Sequence, residues 1–294
     1  MVQMELSESV KQRILAFQKD EITSAVLYEE IAAMMKNDKN RNVLLEIAQV
    51  EREHYATWKH FTGIDIGPSR IKIALFKLLY WIMGETFVIQ MFERVEDFGV
   101  RELTQITSEI PEANDIILQE EEHENQLITL VDEERLKYVG AMVLGLNDAL
   151  VELTGMIAGM TFALSGTKIV ALTAVITGAA ATLSMAASNY LAERAERSST
   201  ALKSSFYTGI AYLITVVLLV MPYLILPDSL YITAFTIMII TVILIILFFT
   251  FYLSVVQSTS FWSRFKEMAG ISLGVAAISF VIGLIAKMFI GVDL

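Results

Sequence analysis

The stretch Gln119–Glu152, QEEEHENQLITLVDEERLKYVGAMVLGLNDALVE, passes from dense charge to apolar sequence without a proline. Near its start lies Glu120-x-x-His123, a spacing that places two metal-ligating side chains on one face of a helix. Near its end, Asp148 and Glu152 lie four residues apart within apolar sequence. The stretch therefore predicts a junction between a charged helix with metal-binding capacity and a helix that spans a membrane.

Charged and apolar residues are divided unequally between the two sides of this junction. Residues 1–138 contain 26 Asp and Glu against 15 Lys and Arg, whereas residues 139–294 contain seven of each. With 55% hydrophobic residues, the chain is too apolar for a pair of ordinary soluble domains. We therefore expect an all-α protein with a soluble, acidic domain at residues 1–134 and a membrane domain at residues 135–294.

The composition also limits the chemistry. An acidic domain favours cations as ligands and argues against nucleic acid. The chain contains no cysteine, which excludes disulfides, thiolate metal sites and cysteine nucleophiles. The first residues lack the apolar core of a signal peptide, so we expect the soluble domain in the cytoplasm.

Helical periodicity in the soluble half predicts four helices, at about residues 9–36, 41–61 and 70–110 and from residue 112 onward. Ser69 is the expected N-cap of the third helix. Two short hairpins joined by one long crossover are the layout of a ferritin-like four-helix bundle.

Glu51-x-x-His54 on the second helix repeats the motif of the fourth helix. A single copy of this motif is common as an exposed ion pair, but two copies use two of the three histidines in the chain. We expect the third, His60, at the surface. Carboxylates combined with imidazoles suit iron or manganese, and bundle sites for two such ions add one glutamate from each remaining helix.

On the first helix the candidates are Glu21, Glu29 and Glu30. Groups that meet across an antiparallel hairpin lie at similar distances from its turn. Glu21 precedes Asp38 by 17 residues and Glu51 follows Asp38 by 13, a better match than Glu29 or Glu30 can offer.

On the third helix the same argument sets Glu85 aside, because Glu85 lies 26 residues before Pro111 while Glu120 follows Pro111 by nine. Glu93 and Glu96 precede Pro111 by 18 and 15 residues. Being three residues apart, both can face the site.

Together, Glu21 with Tyr28 seven residues later, the two E-x-x-H motifs and Glu93-x-x-Glu96 resemble the rubrerythrin family. The cysteine-rich rubredoxin module found in many members is missing, so their usual route of electron delivery is not implied. The resemblance implies seven ligands of a di-iron site: Glu21, Glu51, His54, Glu93, Glu96, Glu120 and His123.

Residues 71–83, IKIALFKLLYWIM, are too short to span a bilayer and contain Lys72, Lys77 and Trp81. They could lie along a membrane surface or pack on their own bundle. Both alternatives stay open at this point.

Beyond the junction, five apolar runs are each near the length of about 20 residues that crosses a bilayer. With the soluble domain inside, Arg194 and Arg264 lie in inner loops and Lys168 in an outer loop, as the positive-inside rule favours. We expect a multi-pass protein whose C-terminus is outside. The predicted spans are residues 139–165, 169–192, 205–227, 230–258 and 268–290.

Ionisable groups within spans are costly and usually functional. Asp148 and Glu152 share a face of the first span, and the second span contains Met185 and Asn189. A thioether near carboxylates favours iron-group metals over magnesium or calcium. We therefore expect these four residues near a metal pathway.

Leu146-Asn147-Asp148 in the first span and Ser184-Met185-Ala186-Ala187 in the second resemble the vacuolar iron transporter family, over about residues 135–294. The resemblance implies a dimeric, proton-coupled transporter of divalent metals, with Asp148, Glu152, Met185 and Asn189 near its pathway. Where that family often has Gly-Glu after its Ser-Met unit, this chain has Ser188-Asn189, so one carboxylate is absent.

The fusion of the two halves resembles the membrane-bound ferritins of prokaryotes, which export iron from the cytoplasm through the cell membrane. The resemblance implies export of Fe²⁺ or Mn²⁺ in exchange for protons, with a soluble domain that collects, senses or oxidises iron. The alternative is a membrane-anchored di-iron oxidase or peroxidase in which the spans serve only as an anchor. Ferroxidase activity at the di-iron site is compatible with either hypothesis.

Overall fold

The computed structural model describes residues 8–107, 110–111, 113–130 and 133–290. The protein is 88% helical, and the described residues contain no strand, which confirms the predicted all-α class. Contacts divide the chain into two compact units, Met1–Asp132 and Glu133–Leu294.

In the first unit, α1 packs along α2, α4 packs along α5, and a shorter helix, α3, contacts both α1 and α4. The helices described in this unit are α1 (Glu8–Ala32), α2 (Asp38–Thr62), α3 (Arg70–Met83), α4 (Glu85–Thr104) and α5 (Ala113–Thr129).

The prediction of one continuous helix over residues 70–110 is wrong, because the chain breaks at Gly84. Gly84 has φ +87°, a left-handed conformation that ends α3 and that a residue with a side chain rarely adopts. Glu85 begins α4 directly after it. The expected N-cap is confirmed, since the hydroxyl of Ser69 accepts a hydrogen bond from the backbone N–H of Lys72.

An apolar cluster at one end of the first unit joins its helices. Ile14 of α1 and Trp58 of α2 are fully buried there, and Leu103 of α4 and Ile116 of α5 complete the contact. Burying side chains of this size contributes about 1.5–3 kcal/mol each. The cluster therefore fixes the relative positions of the four helices that carry the predicted metal ligands.

The described part of the second unit contains five helices long and apolar enough to cross a membrane, in agreement with the five predicted apolar spans. The last begins at Phe261, seven residues earlier than expected, so Arg264 lies in the first turns of a helix rather than in a loop. The expected external C-terminus falls on residues 291–294, outside the described residues. The helices are α6 (Glu133–Leu164), α7 (Thr167–Ala195), α8 (Ala201–Ile225), α9 (Tyr231–Val256) and α10 (Phe261–Ile290).

Helix α6 contacts all four of the other long helices in its unit. Glycines allow the closest approaches: a Cβ at Gly145 would lie 2.3 Å from the carbonyl oxygen of Thr208 in α8, and a Cβ at Gly283 would lie 2.3 Å from that of Gly159. A Cβ at Gly155 would lie 2.9 Å from a side-chain carbon of Val275, so Gly155 and Gly159 both pack against α10 of the same chain. A Cβ at Gly274 of α10, in contrast, would meet no atom within 4 Å.

Candidate metal centre

The two E-x-x-H motifs lie face to face, one on α2 and one on α5. Nδ1 of His54 lies 2.9 Å from Oε1 of Glu120, and Nδ1 of His123 lies 3.3 Å from Oε1 of Glu51. The centres of the two imidazole rings are 5.8 Å apart. Each histidine therefore faces the carboxylate of the opposite helix.

Helices α1 and α4 each add a glutamate, as the sequence predicts. Glu21 of α1 places Oε2 3.7 Å from Nδ1 of His54. Glu96 of α4 accepts a hydrogen bond from the hydroxyl of Tyr28 and lies beside Glu120. None of the six acidic and imidazole side chains is more than 7% exposed, and ligand atoms of Glu21, Glu51, His54 and Glu120 all lie within 4.8 Å of one another.

Four buried atoms in this cluster have no hydrogen-bond partner: Oε1 of Glu51, Nδ1 of His54, Oε2 of Glu120 and Nδ1 of His123. A buried polar atom without a partner costs about 1–3 kcal/mol, so four such atoms in one cluster are unfavourable unless a cation binds among them. The 2.9 Å contact between Nδ1 of His54 and Oε1 of Glu120 leaves Nδ1 of His54 and the other oxygen of Glu120 without a hydrogen-bond partner. The donor set of carboxylates and imidazoles fits iron or manganese.

Residues that are not ligands hold the cluster in position. Nε2 of His54 lies 2.7 Å from Oε1 of Gln119, and since an amide oxygen can only accept, Nε2 carries a proton, so that Nδ1 is the nitrogen that would bind a metal ion once its own proton is lost. The indole N–H of Trp58 donates to Oε1 of Glu21 at 3.0 Å. The sequence analysis missed both residues, although Trp58, four residues after His54, lies on the same helix face.

The electrostatics of the cluster follow from burial. Burial raises the pKa of Glu51 and of Glu96, and the nearby charge of Glu120 raises both further. Burial lowers the pKa of His54, but contacts with Glu120 and Glu21 outweigh this effect and raise the pKa to about 10. Burial also disfavours the charge on Glu120, yet contacts with His123 and His54 hold its pKa well below the usual range.

Two residues lie apart from the cluster. Glu93 is partly exposed, one turn before Glu96, and its pKa is raised by partial burial and by the charge of Glu124. Among the described residues, no ion pair or hydrogen bond joins it to the six clustered side chains. His60 is exposed, as expected.

In the second unit, Asp148 and Glu152 lie on one face of α6, and both are exposed on the surface of this chain. The hydroxyl of Tyr212 in α8 donates to Oε2 of Glu152 at 2.7 Å. The sequence analysis missed Tyr212, since a tyrosine within an apolar run does not reveal its partner.

Asn189 is buried, and its amide group bonds to two side chains of α8, one of which in turn bonds to α6. Its Nδ2 donates to Oγ of Ser204 at 3.0 Å and to Oγ1 of Thr208 at 2.9 Å, and Oγ1 of Thr208 lies 3.1 Å from the carbonyl oxygen of Ala141 in α6. Met185, one turn earlier on α7, is half-buried against the apolar core. Within the described ranges, no hydrogen bond or ion pair joins Asp148 or Glu152 to either residue.

The sequence profile of the VIT family matches residues 139–202. This segment contains α6 from Val139 onward, α7 and the start of α8, and with them Asp148, Glu152, Met185 and Asn189. The match supports the resemblance to vacuolar iron transporters in this part of the chain and indicates a multi-pass membrane protein that transports iron or manganese. No curated protein matches the chain.

Proposed function

We propose that the protein exports Fe²⁺ or Mn²⁺ from the cytoplasm of a prokaryote through the cell membrane, in exchange for protons. The observation that carries this proposal is the pair of carboxylates Asp148 and Glu152 on one face of α6, within the segment that matches the VIT family. Acidic groups are rare in spans and mark ion pathways when they occur there.

The carboxylates of α6 supply the coupling chemistry. A deprotonated pair attracts a divalent cation, and protonation of the same oxygens releases it, so protons and metal compete for one site. Tyr212 holds one oxygen of Glu152 and leaves the other oxygen available. Met185 would add a soft sulfur ligand that favours iron-group metals over magnesium or calcium.

The exposure of Asp148 and Glu152 favours a homodimer. Carboxylates on the lipid-facing surface of a span are costly, and a second copy facing α6 would shield both from hydrocarbon. We place the first unit in the cytoplasm and the C-terminus outside, in agreement with the positions of the basic residues.

The first unit is proposed to bind a pair of iron ions in a rubrerythrin-like, ferritin-like bundle and to collect, sense or oxidise iron before transport. Support comes from the four unpartnered atoms that converge between α2 and α5. Glu21, Glu51, His54, Glu96, Glu120 and His123 are the proposed ligands, and Glu93 is close enough in sequence to join them after a side-chain or helix rearrangement.

Metal flux into proteoliposomes tests transport. Asp148→Asn keeps the shape of the side chain but removes its charge, and we expect it to abolish Fe²⁺ or Mn²⁺ flux. Glu196→Gln removes an exposed acid just beyond the end of α7 and is the matched control, which should retain flux. Equal flux in wild type and Asp148→Asn would contradict the proposed pathway.

A second candidate function is a membrane-anchored di-iron oxidase or peroxidase. It is favoured by the buried group of four residues in the first unit whose ligand atoms lie within 4.8 Å of one another. This alternative predicts that oxygen or peroxide consumption with Fe²⁺ is lost in Glu51→Gln but unchanged in Asp148→Asn, in protein that shows no metal flux.

A further inference from the structure

Helix α3 is amphipathic, and its inner face is packed on its own unit. Ile73 is 6% exposed and Phe76 is 4% exposed. The ring of Phe76 stacks on that of Phe92 in α4, with centroids 5.5 Å apart. The helix therefore has one fixed orientation on the first unit.

The lysines of α3 strengthen this attachment. Nζ of Lys72 lies 3.3 Å from Asp20, and Nζ of Lys77 lies 2.7 Å from Glu30, both on α1. The hydroxyl of Tyr80 donates to the carbonyl oxygen of Met34 at 3.3 Å. Because these polar groups turn toward α1, they leave the opposite side of α3 apolar.

The outer face is a continuous apolar stripe. Ile71, Leu75, Leu78 and Ile82 follow at spacings of four, three and four residues, which places them along one side of the helix. Their exposed fractions are 84%, 52%, 52% and 50%, and the adjacent Trp81 is 80% exposed. A contiguous apolar patch of this kind on a soluble unit marks an interaction surface.

We propose that this outer face of α3 inserts into the headgroup region of a lipid bilayer. The charge pattern favours lipid as the partner: α3 contains no acidic residue and begins with the exposed Arg70, whereas residues 1–132 as a whole contain 24 Asp and Glu against 13 Lys and Arg. An apolar face without acidic groups can enter a surface of anionic headgroups over hydrocarbon, while the acidic remainder of the unit is repelled by them.

Length and composition agree with a helix that lies in the membrane surface. Fourteen residues extend about 21 Å, too short to span a bilayer but suited to an orientation parallel to it. Tryptophan prefers the headgroup level, and Trp81 lies on the exposed side. The bilayer is also always available, because the same chain carries five candidate spans.

Spin labelling of the full chain in proteoliposomes of phosphatidylethanolamine and phosphatidylglycerol tests this proposal. The chain contains no cysteine, so Leu78→Cys places a single label on the outer face of α3. Leu45→Cys, on α2 and 43% exposed, is the control. We expect the Leu78 label to be relaxed more by oxygen than by a water-soluble nickel chelate, and the Leu45 label to show the reverse.

Leu75 lies on the same apolar stripe, and a label at Leu75→Cys should reproduce the result. The proposal can therefore be tested even if one of the two variants fails to fold. Labels on α3 as accessible to the nickel chelate as the Leu45 label would overturn the proposal. Labels protected from both oxygen and nickel would also overturn it, because they would indicate a protein partner. In that case a dipolar distance between two labelled copies would identify a second copy of the chain.

Discussion

Nδ1 of His54 lies 2.9 Å from Oε1 of Glu120, although the two residues belong to different E-x-x-H motifs on different helices. The reciprocal pair, His123 and Glu51, are 3.3 Å apart. Because the two motifs face each other in this way, we expect damage to either motif to affect metal binding at both.

Substitution of Glu120 provides the most direct check on this relationship. Glu120→Gln removes a charge that lies beside both histidines, and we expect the variant to lose most of its bound iron or manganese. Glu121→Gln, one residue further on α5 and exposed, should bind metal as wild type does. Elemental analysis of the purified proteins makes the comparison. Undiminished metal in Glu120→Gln would mean that the ion lies elsewhere.

Gln119 has a predicted role that is independent of ligation. The amide oxygen of Gln119 accepts a hydrogen bond from Nε2 of His54 and so fixes the orientation of the imidazole ring. Gln119→Leu removes this acceptor. Loss of such an outer partner typically lowers metal affinity by about 10- to 100-fold. We expect a decrease of this size in competitive metal titrations, and little change in Gln49→Leu, an exposed position on α2. A wild-type affinity in Gln119→Leu would exclude the positioning role.

Metal binding should release protons. In the metal-free protein, neighbouring carboxylates raise the pKa of His54 to about 10, so His54 holds a proton at neutral pH, and burial raises the pKa of Glu51 and Glu96, so these carboxyls keep their protons to higher pH than usual. Ligands must lose these protons to bind, so affinity should increase as the pH rises from about 6 to about 8. Calorimetry in two buffers of different ionisation enthalpy measures the release, and identical heats in both would contradict it.

The same pKa shifts make the stability of the metal-free protein depend on pH. A pKa raised by folding means that the folded protein binds more protons than the unfolded chain. The contribution of His54 is therefore complete below about pH 6.5, the ordinary histidine pKa, and is lost as the pH rises toward 10. Bound metal should remove most of this dependence, which thermal unfolding with and without metal would show.

Two glycines of α10 offer a matched test of helix packing. A Cβ at Gly283 would lie 2.3 Å from the carbonyl oxygen of Gly159, whereas a Cβ at Gly274 would meet no atom within 4 Å. We expect Gly283→Ala to destabilise the protein by about 1–3 kcal/mol. Gly274→Ala should be neutral or slightly stabilising, since alanine favours helix more than glycine does. Thermal unfolding in detergent compares them, and equal effects would contradict the packing of α6 on α10.

Local periodicity and spacing predicted much of this architecture. The five spans follow from apolar runs, and Glu51 and His54 could be chosen because i, i+3 spacing fixes a helix face whatever the tertiary structure. Distances from the turns favoured Glu21 over Glu29 and Glu30, and Glu21 is the one buried beside His54.

Tertiary contacts account for what the sequence did not predict. The break at Gly84 was missed because the residues on both sides of it favour helix, and a single glycine is tolerated within many helices. Gln119 and Tyr212 were missed because their partners come from other helices. Glu93 and Glu96 were equivalent by spacing, and only the packing of α4 distinguishes the buried residue from the partly exposed one.

The proposed exchange of metal for protons takes place at the carboxylates of α6. The most direct measurement follows Fe²⁺ or Mn²⁺ influx and internal pH together in proteoliposomes, with wild type, Asp148→Asn and Glu196→Gln. We predict metal influx with simultaneous proton efflux in wild type and Glu196→Gln, and neither in Asp148→Asn. Metal influx no faster than in protein-free liposomes, or influx that survives in Asp148→Asn, would contradict the account.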